Sequence, residues 1–277
     1  MRVCVISDIH YKFAPETEAD LQNEELVLSF LRGAVGKYDL MVLNGDIFDL
    51  WFDWKYAMIK QYFPLLHRLA EIAENGCRLV LVSGNHDFWF GDFLSRYLGM
   101  EIHDDKFSLE ADGKKMLFTH GDLHTVNDFR YKFFRRLVRF PATRKLFSLL
   151  HPDLALALGG KMSRSSRLRE VSHILQSKKS SGLLRYAQSQ IRRNKFDLVF
   201  MGHSHKPAIR ELEGGTYVNS GDWIQNHSYV EIINGILHLE HYANKENQNE
   251  TDPSQNGPDG HDPAAQPHPA ELSDERG

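Results

Sequence analysis

Seven side chains able to ligate a metal follow short apolar runs in a fixed order along the chain: Asp8 and His10, then Asp46, Asn85, His120, and finally His203 and His205. Donors placed just after strand-forming runs collect at one end of an α/β sheet, because ligands there bind outside the carboxyl ends of the strands. Two divalent cations that share one bridging carboxylate need about this many oxygen and nitrogen donors, delivered from several loops.

The runs themselves read as strands. Residues 2–7, 39–43 and 78–83 are rich in Val, Leu and Ile, and each is followed by a cluster of Gly, Asp, Asn or His; such runs suit strands buried on both faces. Between them, residues 18–35 and 54–74 carry apolar residues at three- and four-residue spacing, with Asn75-Gly76 as a stop after the second. This alternation predicts an α/β fold with parallel strands and helices on the sheet faces. Further strands are expected near 107–111, 115–119 and 197–201, with hairpins around Gly214-Gly215 and Asn234-Gly235. The β-rich second half points to two packed sheets with helices outside.

Composition sets limits on partners and compartment. A chain of 277 residues with 42% hydrophobic content holds one large domain. Its net charge of -4 gives no overall signal for a polyanion. Cys4 and Cys77 stand in or beside apolar runs without CxxC spacing, so buried free thiols in a reducing compartment are expected. Met1-Arg2 leads straight into Val3-Cys4-Val5-Ile6, a core strand and not a secretion signal, and the expected location is the cytoplasm. Charge is uneven, however. Residues 123–195 hold 17 of the 33 Lys and Arg against three acids, a local charge of +14, and read as a basic, mostly helical inserted cap. The core is expected at 1–122 and 196–243. Residues 244–277 are poor in large apolar side chains and read as a disordered tail.

Each donor motif is weak alone. Asp8-Ile9-His10 fits an Asx-turn with a surface histidine, Gly45-Asp46 and Gly84-Asn85 fit ordinary turns, and His203 with His205 fits an exposed pair. Together they are specific: Asp-x-His, Gly45-Asp-x-x-Asp49, Gly84-Asn-His-Asp87, His120-Gly-Asp122 and Gly202-His-Ser-His205 stand in one order, each after a β-like run. With these motifs the chain resembles the calcineurin-like metallophosphoesterases. The resemblance implies a four-layer αββα sandwich and two divalent metal ions, manganese first, with iron or zinc accepted by the same donors. It implies that Asp8, His10, Asp46 and His205 hold one ion and Asp46, Asn85, His120 and His203 the other, Asp46 being the bridge. His86 would face the phosphate, oriented by Asp49, to stabilise charge or protonate the leaving oxygen. Asp87 and Asp122 are expected to orient ligands or cap helices.

The insert narrows the substrate. His120 to Arg136 and Lys161-Met-Ser-Arg-Ser-Ser-Arg167 resemble the UDP-2,3-diacylglucosamine hydrolases of the lipid A pathway, in which a helical cap binds the acyl chains and water attack releases UMP. That likeness implies a UDP-linked acylated glucosamine as substrate, a peripheral seat on the inner membrane, and no obligate protein partner. It nominates Asn85, His86, Asp128, Tyr131, Ser166 and Arg167 for substrate contact. The chain departs from the best-known members at His86, where they carry Arg. The apolar residues of the insert, from Phe133 to Leu158, exceed what a connection needs, and Arg135, Arg136, Arg139, Arg164, Arg167 and Arg169 offer charge for a diphosphate. Packed amphipathic helices with solvated arginines are the plain alternative for any one of them. A phosphodiesterase acting on a nucleotide or nucleic acid is the runner-up. No nucleic acid is expected, because the insert is more aliphatic than aromatic. A non-catalytic scaffold would be expected to have lost some of the seven donors.

Overall fold

In the first strand Val3 and Val5 face one side and Cys4 and Ile6 the other, and all four are buried. A strand of that kind needs a layer on each face. The computed structural model, which describes residues 1–125, 129–160 and 173–243, shows both layers. β1 (Arg2–Ile6), β2 (Leu40–Leu43), β3 (Arg78–Val82) and β4 (Glu101–His103) run parallel in one sheet. β10 (Ser228–Ile233) and β11 (Ile236–His241) extend it antiparallel, in the order β11-β10-β1-β2-β3-β4. The second sheet has the order β5-β6-β7-β9-β8, formed by β5 (Phe107–Ala111), β6 (Lys114–Phe118), β7 (Leu198–Met201), β8 (Ala208–Leu212) and β9 (Gly215–Asn219). Its β6, β7 and β9 are parallel.

Alternation in the strands divides the core into three. Val3, Val5, Val42 and Val80 of the first sheet pack with Met116, Phe118, Phe200 and Val218 of the second. On the far face of the first sheet, Cys4, Ile6, Met41 and Leu81 pack with Phe30 and Leu31 of α1 (Glu18–Ala34) and with Leu65 and Leu69 of α2 (Phe63–Glu74). Leu117, Val199 and Met201 of the second sheet meet Leu183, Ala187 and Ile191 of α7 (His173–Asn194). The protein is therefore an α/β sandwich of four layers, αββα.

Three local expectations change. α2 begins at Phe63 and not at 54, because Pro64 sits in its first turn, where the missing N–H costs nothing. β4, with α3 (Phe93–Leu98) before it, was not foreseen. The third concerns the insert: Leu183, Ala187 and Ile191 recur every fourth residue on one buried face, so this end of segment 123–195 is a core layer and not cap. α4 (Phe129–Val138) and α5 (Pro141–Ser148) expose much of their apolar surface, whereas α6 (residues 152–160) exposes Leu154 and Leu158 but buries Ala155 and packs Leu156 against the core. Residues 244–277, read as a tail, lie outside the described residues. Cys4 and Cys77 are buried free thiols, and among the described residues no helix is long and apolar enough to cross a membrane.

Candidate metal centre

Six parallel strands end at one place: β1, β2 and β3 from the first sheet, β6, β7 and β9 from the second. The loops beyond them are tied by backbone bonds. Asp8 N–H donates to the Gly45 carbonyl (3.0 Å), His10 N–H to Asp46 (2.9 Å), Gly202 N–H to His120 (3.0 Å), and Trp223 N–H to Asp8 (3.1 Å), which joins the two sheets. Asp8, His10, Asp46, His203 and His205 all adopt positive φ, between 49° and 63°. They are five of the nine described non-glycine residues that do so, and such conformations persist where surrounding structure holds them for a function. Gly84 and Gly202 permit the crowding: a Cβ on Gly84 would lie 2.1 Å from Asp46 Oδ1, and one on Gly202 2.4 Å from Asp8 Oδ2.

All seven donors named from the sequence are brought together. Asp8, His10 and His205 each place a ligand atom within 4.8 Å of the others, and so do Asp46, His120 and His203. Asp46 Oδ2 lies between the two groups, 3.1 Å from His120 Nε2 and 3.8 Å from His10 Nε2. Asn85 Oδ1 is 3.2 Å from His120 Nε2.

The donor chemistry fits metal ions. His120 Nδ1 lies 3.0 Å from the Asn44 carbonyl oxygen, which can only accept, so Nδ1 carries the hydrogen. Nε2 then presents a lone pair toward the lone pairs of Asp46 and Asn85, an arrangement that calls for a cation between them. Burial opposes a charged imidazole, yet the Asp46 and Asp8 carboxylates outweigh it and push His120 up to about 10, which expresses the same demand for positive charge. His205 repeats the pattern: Nδ1 faces Asp222 Oδ2 at 3.3 Å, and Nε2 faces Asp8 Oδ1 at 3.4 Å. Burial raises the Asp8 carboxyl. At Asp46 burial acts the same way, but the imidazoles of His120, His86 and His10 prevail and hold it well below the ordinary range.

Around the donors stands a set of orienting groups. His86 N–H donates to Asp46 Oδ1 (2.8 Å); His86 Nδ1 lies 3.1 Å from the Asp49 backbone carbonyl and 3.9 Å from its carboxylate. The Asp87 carboxylate accepts from the backbone of Asp46, Ile47, Phe48 and Gly84, locking the two loops that carry Asp46 and Asn85. Asp122 accepts from the Tyr131 hydroxyl (2.7 Å) and pairs with Arg135 Nε (2.6 Å), so it fastens α4 beside His120. Tyr131 thus reaches the centre through Asp122. Asp128, Ser166 and Arg167 lie outside the described residues, as do Arg164 and Arg169.

Two residues escaped the sequence reading. Ser7 Oγ donates to Asp8 Oδ2 (2.6 Å). Asp222, just after β9, holds His205 and accepts through Oδ1 from the backbone of Ile224, Gln225 and Asn226. The Gly221-Asp222 pair was the available signal, but it is the same signal as any Asx-turn.

The family description "Calcineurin-like phosphoesterase" matches residues 1–207. A UDP-2,3-diacylglucosamine hydrolase of Porphyromonas gingivalis is 29% identical over 67% of this chain and 77% of its own length. The protein of that name from Haemophilus influenzae is 27% identical over 81% of this chain and 92% of its own. Among solved structures, a phosphoesterase from E. coli is 16% identical, covers 87% of this chain and 93% of its own, and has a TM-score of 0.44. With the family match spanning residues 1–207 of the 277 and the motifs converging on one buried centre, the chain belongs to the calcineurin-like phosphoesterase family and is a hydrolase.

Proposed function

We propose that the protein hydrolyses the pyrophosphate bond of UDP-2,3-diacylglucosamine to UMP and 2,3-diacylglucosamine 1-phosphate, with water as nucleophile. Asp8, His10, Asp46 and His205 would hold one divalent ion and Asp46, Asn85, His120 and His203 a second, manganese being the proposed metal. Ions bound there supply Lewis acidity and lower the pKa of an attacking water. His86, seated on Asp46 and Asp49, is oriented to neutralise phosphate charge or give a proton to the leaving oxygen. Tyr131 gives its hydrogen to Asp122, and its hydroxyl oxygen keeps lone pairs for a donor on the sugar. Asp128, Ser166 and Arg167 are proposed as further contacts.

The observation that carries the reading is the surface of the helices fastened beside the centre. Phe133, Leu137, Phe140, Leu146, Leu149, Leu154 and Leu158 of the segment 129–160 are all exposed, Leu149 to 76%. Lys132, Arg136 and Lys145 are exposed among them. Apolar side chains, five of the seven aliphatic, interleaved with cations suit acyl chains and an anionic membrane surface, so we place the protein peripherally on the cytoplasmic face of the inner membrane, with 129–160 as its cap. The relatives named above support the same substrate.

The test is release of UMP from detergent-solubilised UDP-2,3-diacylglucosamine with manganese present, abolished in Asp46→Asn. A protein that leaves this lipid intact while cleaving a soluble nucleotide diester or single-stranded DNA would overturn the assignment.

A further inference from the structure

Arg139 follows the last residue of α4, on the cap side, yet its guanidinium ends on the metal-ligand loop. Nη2 donates to the Gly84 carbonyl at 2.7 Å and Nη1 to the Asp104 carbonyl at 3.3 Å, while the guanidinium lies 4.8 Å from the centre of the Phe88 ring. No carboxylate pairs with it among the described residues, in contrast to its neighbour Arg135, which meets both Asp122 and Asp105. A half-buried cation without a counter-ion is costly unless its position does something. Burial, with the nearby charge of Arg135, accordingly lowers its pKa.

What the position does follows from Gly84. Its N–H is held by Asp87 Oδ1 at 2.8 Å, and its α-carbon is pressed against Asp46 so closely that no side chain could fit. Arg139 fixes the remaining polar group, the carbonyl. That carbonyl belongs to the peptide leading into Asn85, so its orientation sets where the Asn85 amide begins. Both Nη groups are directed at backbone carbonyls and Nε is buried, which leaves no open fork for a phosphate. The contacts therefore suit a strut and not a substrate clamp.

We propose that Arg139 is a positioning residue through which the cap holds Asn85 in register for the ion shared by Asp46, Asn85, His120 and His203. The proposal rests on the two-ion reading above and adds that one of the two sites depends on the cap. It also assigns a use to one cap arginine that charge counting would have given to substrate.

The test uses the full-length metal-free protein titrated with Co2+, followed by calorimetry and by visible absorption. The wild type is expected to show two binding steps, one of which Asn85→Ala weakens. Arg139→Ala should weaken that same step about tenfold and leave the other within about twofold, the range expected when a group orienting a ligand is lost. Arg139→Lys, which keeps the charge and one donor nitrogen, should recover part of the loss, and the double variant should bind no more weakly than Asn85→Ala alone. If Arg139→Ala melts normally with both steps unchanged, or with both weakened equally, the proposal is wrong. If it does not fold, Arg139→Gln is judged by the same two criteria. A wild type that binds only one ion, or none, would instead sink the two-ion reading.

Discussion

Replacing Asp222 by Asn separates the orienting of a ligand from the stability of the loop that does it. Oδ1 of Asp222 accepts from the backbone of Ile224, Gln225 and Asn226 at 2.8 to 3.1 Å, and an Asn carbonyl oxygen can do the same. Oδ2 faces His205 Nδ1 at 3.3 Å, and there the new amide presents a donor. His205 must then accept at Nδ1, which moves its hydrogen to Nε2, the atom facing Asp8. An imidazole in that tautomer cannot ligate. The expected cost is about 10- to 100-fold in metal affinity, or about 1.4 to 2.7 kcal/mol. The melting of the metal-free protein should fall less, because the variant loses only the charge of Asp222 and the bond that Oδ2 accepts from the Asn226 side chain at 3.2 Å. Asp222→Ala should additionally lose about 1 to 3 kcal/mol of stability, because the loop amides lose their acceptor. Calorimetric metal titration and thermal melts of the two variants measure both quantities. The pH dependence has a definite sign. Although burial raises the Asp222 carboxyl, the bond from His205 and the loop amides prevail and lower it. Its stabilisation is therefore present above the ordinary Asp pKa of about 3.9 and is lost as pH falls through the lower folded value, so wild type and Asp222→Asn should converge only in strong acid. Wild-type metal affinity in Asp222→Asn would refute the tautomer argument.

Three other perturbations have expected outcomes. Gly84→Ala would put a methyl 2.1 Å from Asp46 Oδ1 and 2.3 Å from its backbone nitrogen, neither of which can yield; a loss of about 1 to 3 kcal/mol or more in a denaturant melt is expected, with metal binding impaired. Leu146→Asp with Leu149→Asp, at positions 68% and 76% exposed, should abolish flotation with anionic vesicles while leaving the melting temperature unchanged. Burial, with the nearby Asp20 charge, pushes Glu24 up to about 7, so it stabilises the fold below its ordinary pKa of about 4.3 and the contribution disappears as pH rises through 7. Glu24→Gln should therefore raise the melting temperature at pH 8 relative to wild type but not at pH 4.

The donors were legible in the sequence because each depends on local chemistry. A buried strand that ends must turn, and Asp, Asn, His and Gly are the residues that turn it through positive φ, as Asp8, His10, Asp46, His203 and His205 do. Residues that act across the fold carried no such mark. Asp222 looks like a turn residue because half of its carboxylate is one; its other oxygen meets His205 only after β7 and β9 lie side by side. β4 was invisible since Glu101–His103 has no apolar run, and its place comes from pairing with β3. α7 was hidden by its own composition, since many of its residues are basic or polar, and the face that seals the second sheet includes an alanine.

The basic insert shows where counting charges stops being informative. Seventeen cations against three acids describe a potential, and a potential does not distinguish a cation waiting for phosphate from one already in use. Arg135 is bound to Asp122 and Asp105, and Arg139 spends its donors on two carbonyls, whereas Arg136, between them, is exposed. The spacing explains the division: Arg139, just past α4, continues its last turn through an N–H bond to the Arg135 carbonyl (2.9 Å), so 135 and 139 share the side that meets the core while 136 points elsewhere. Part of the positive charge that resembled a substrate-binding surface is thus internal construction, holding the cap to the loops of the metal centre. The cations left for lipid or membrane are those on the faces that also expose Phe133, Leu137 and Leu149, and substitutions meant to probe substrate binding belong there.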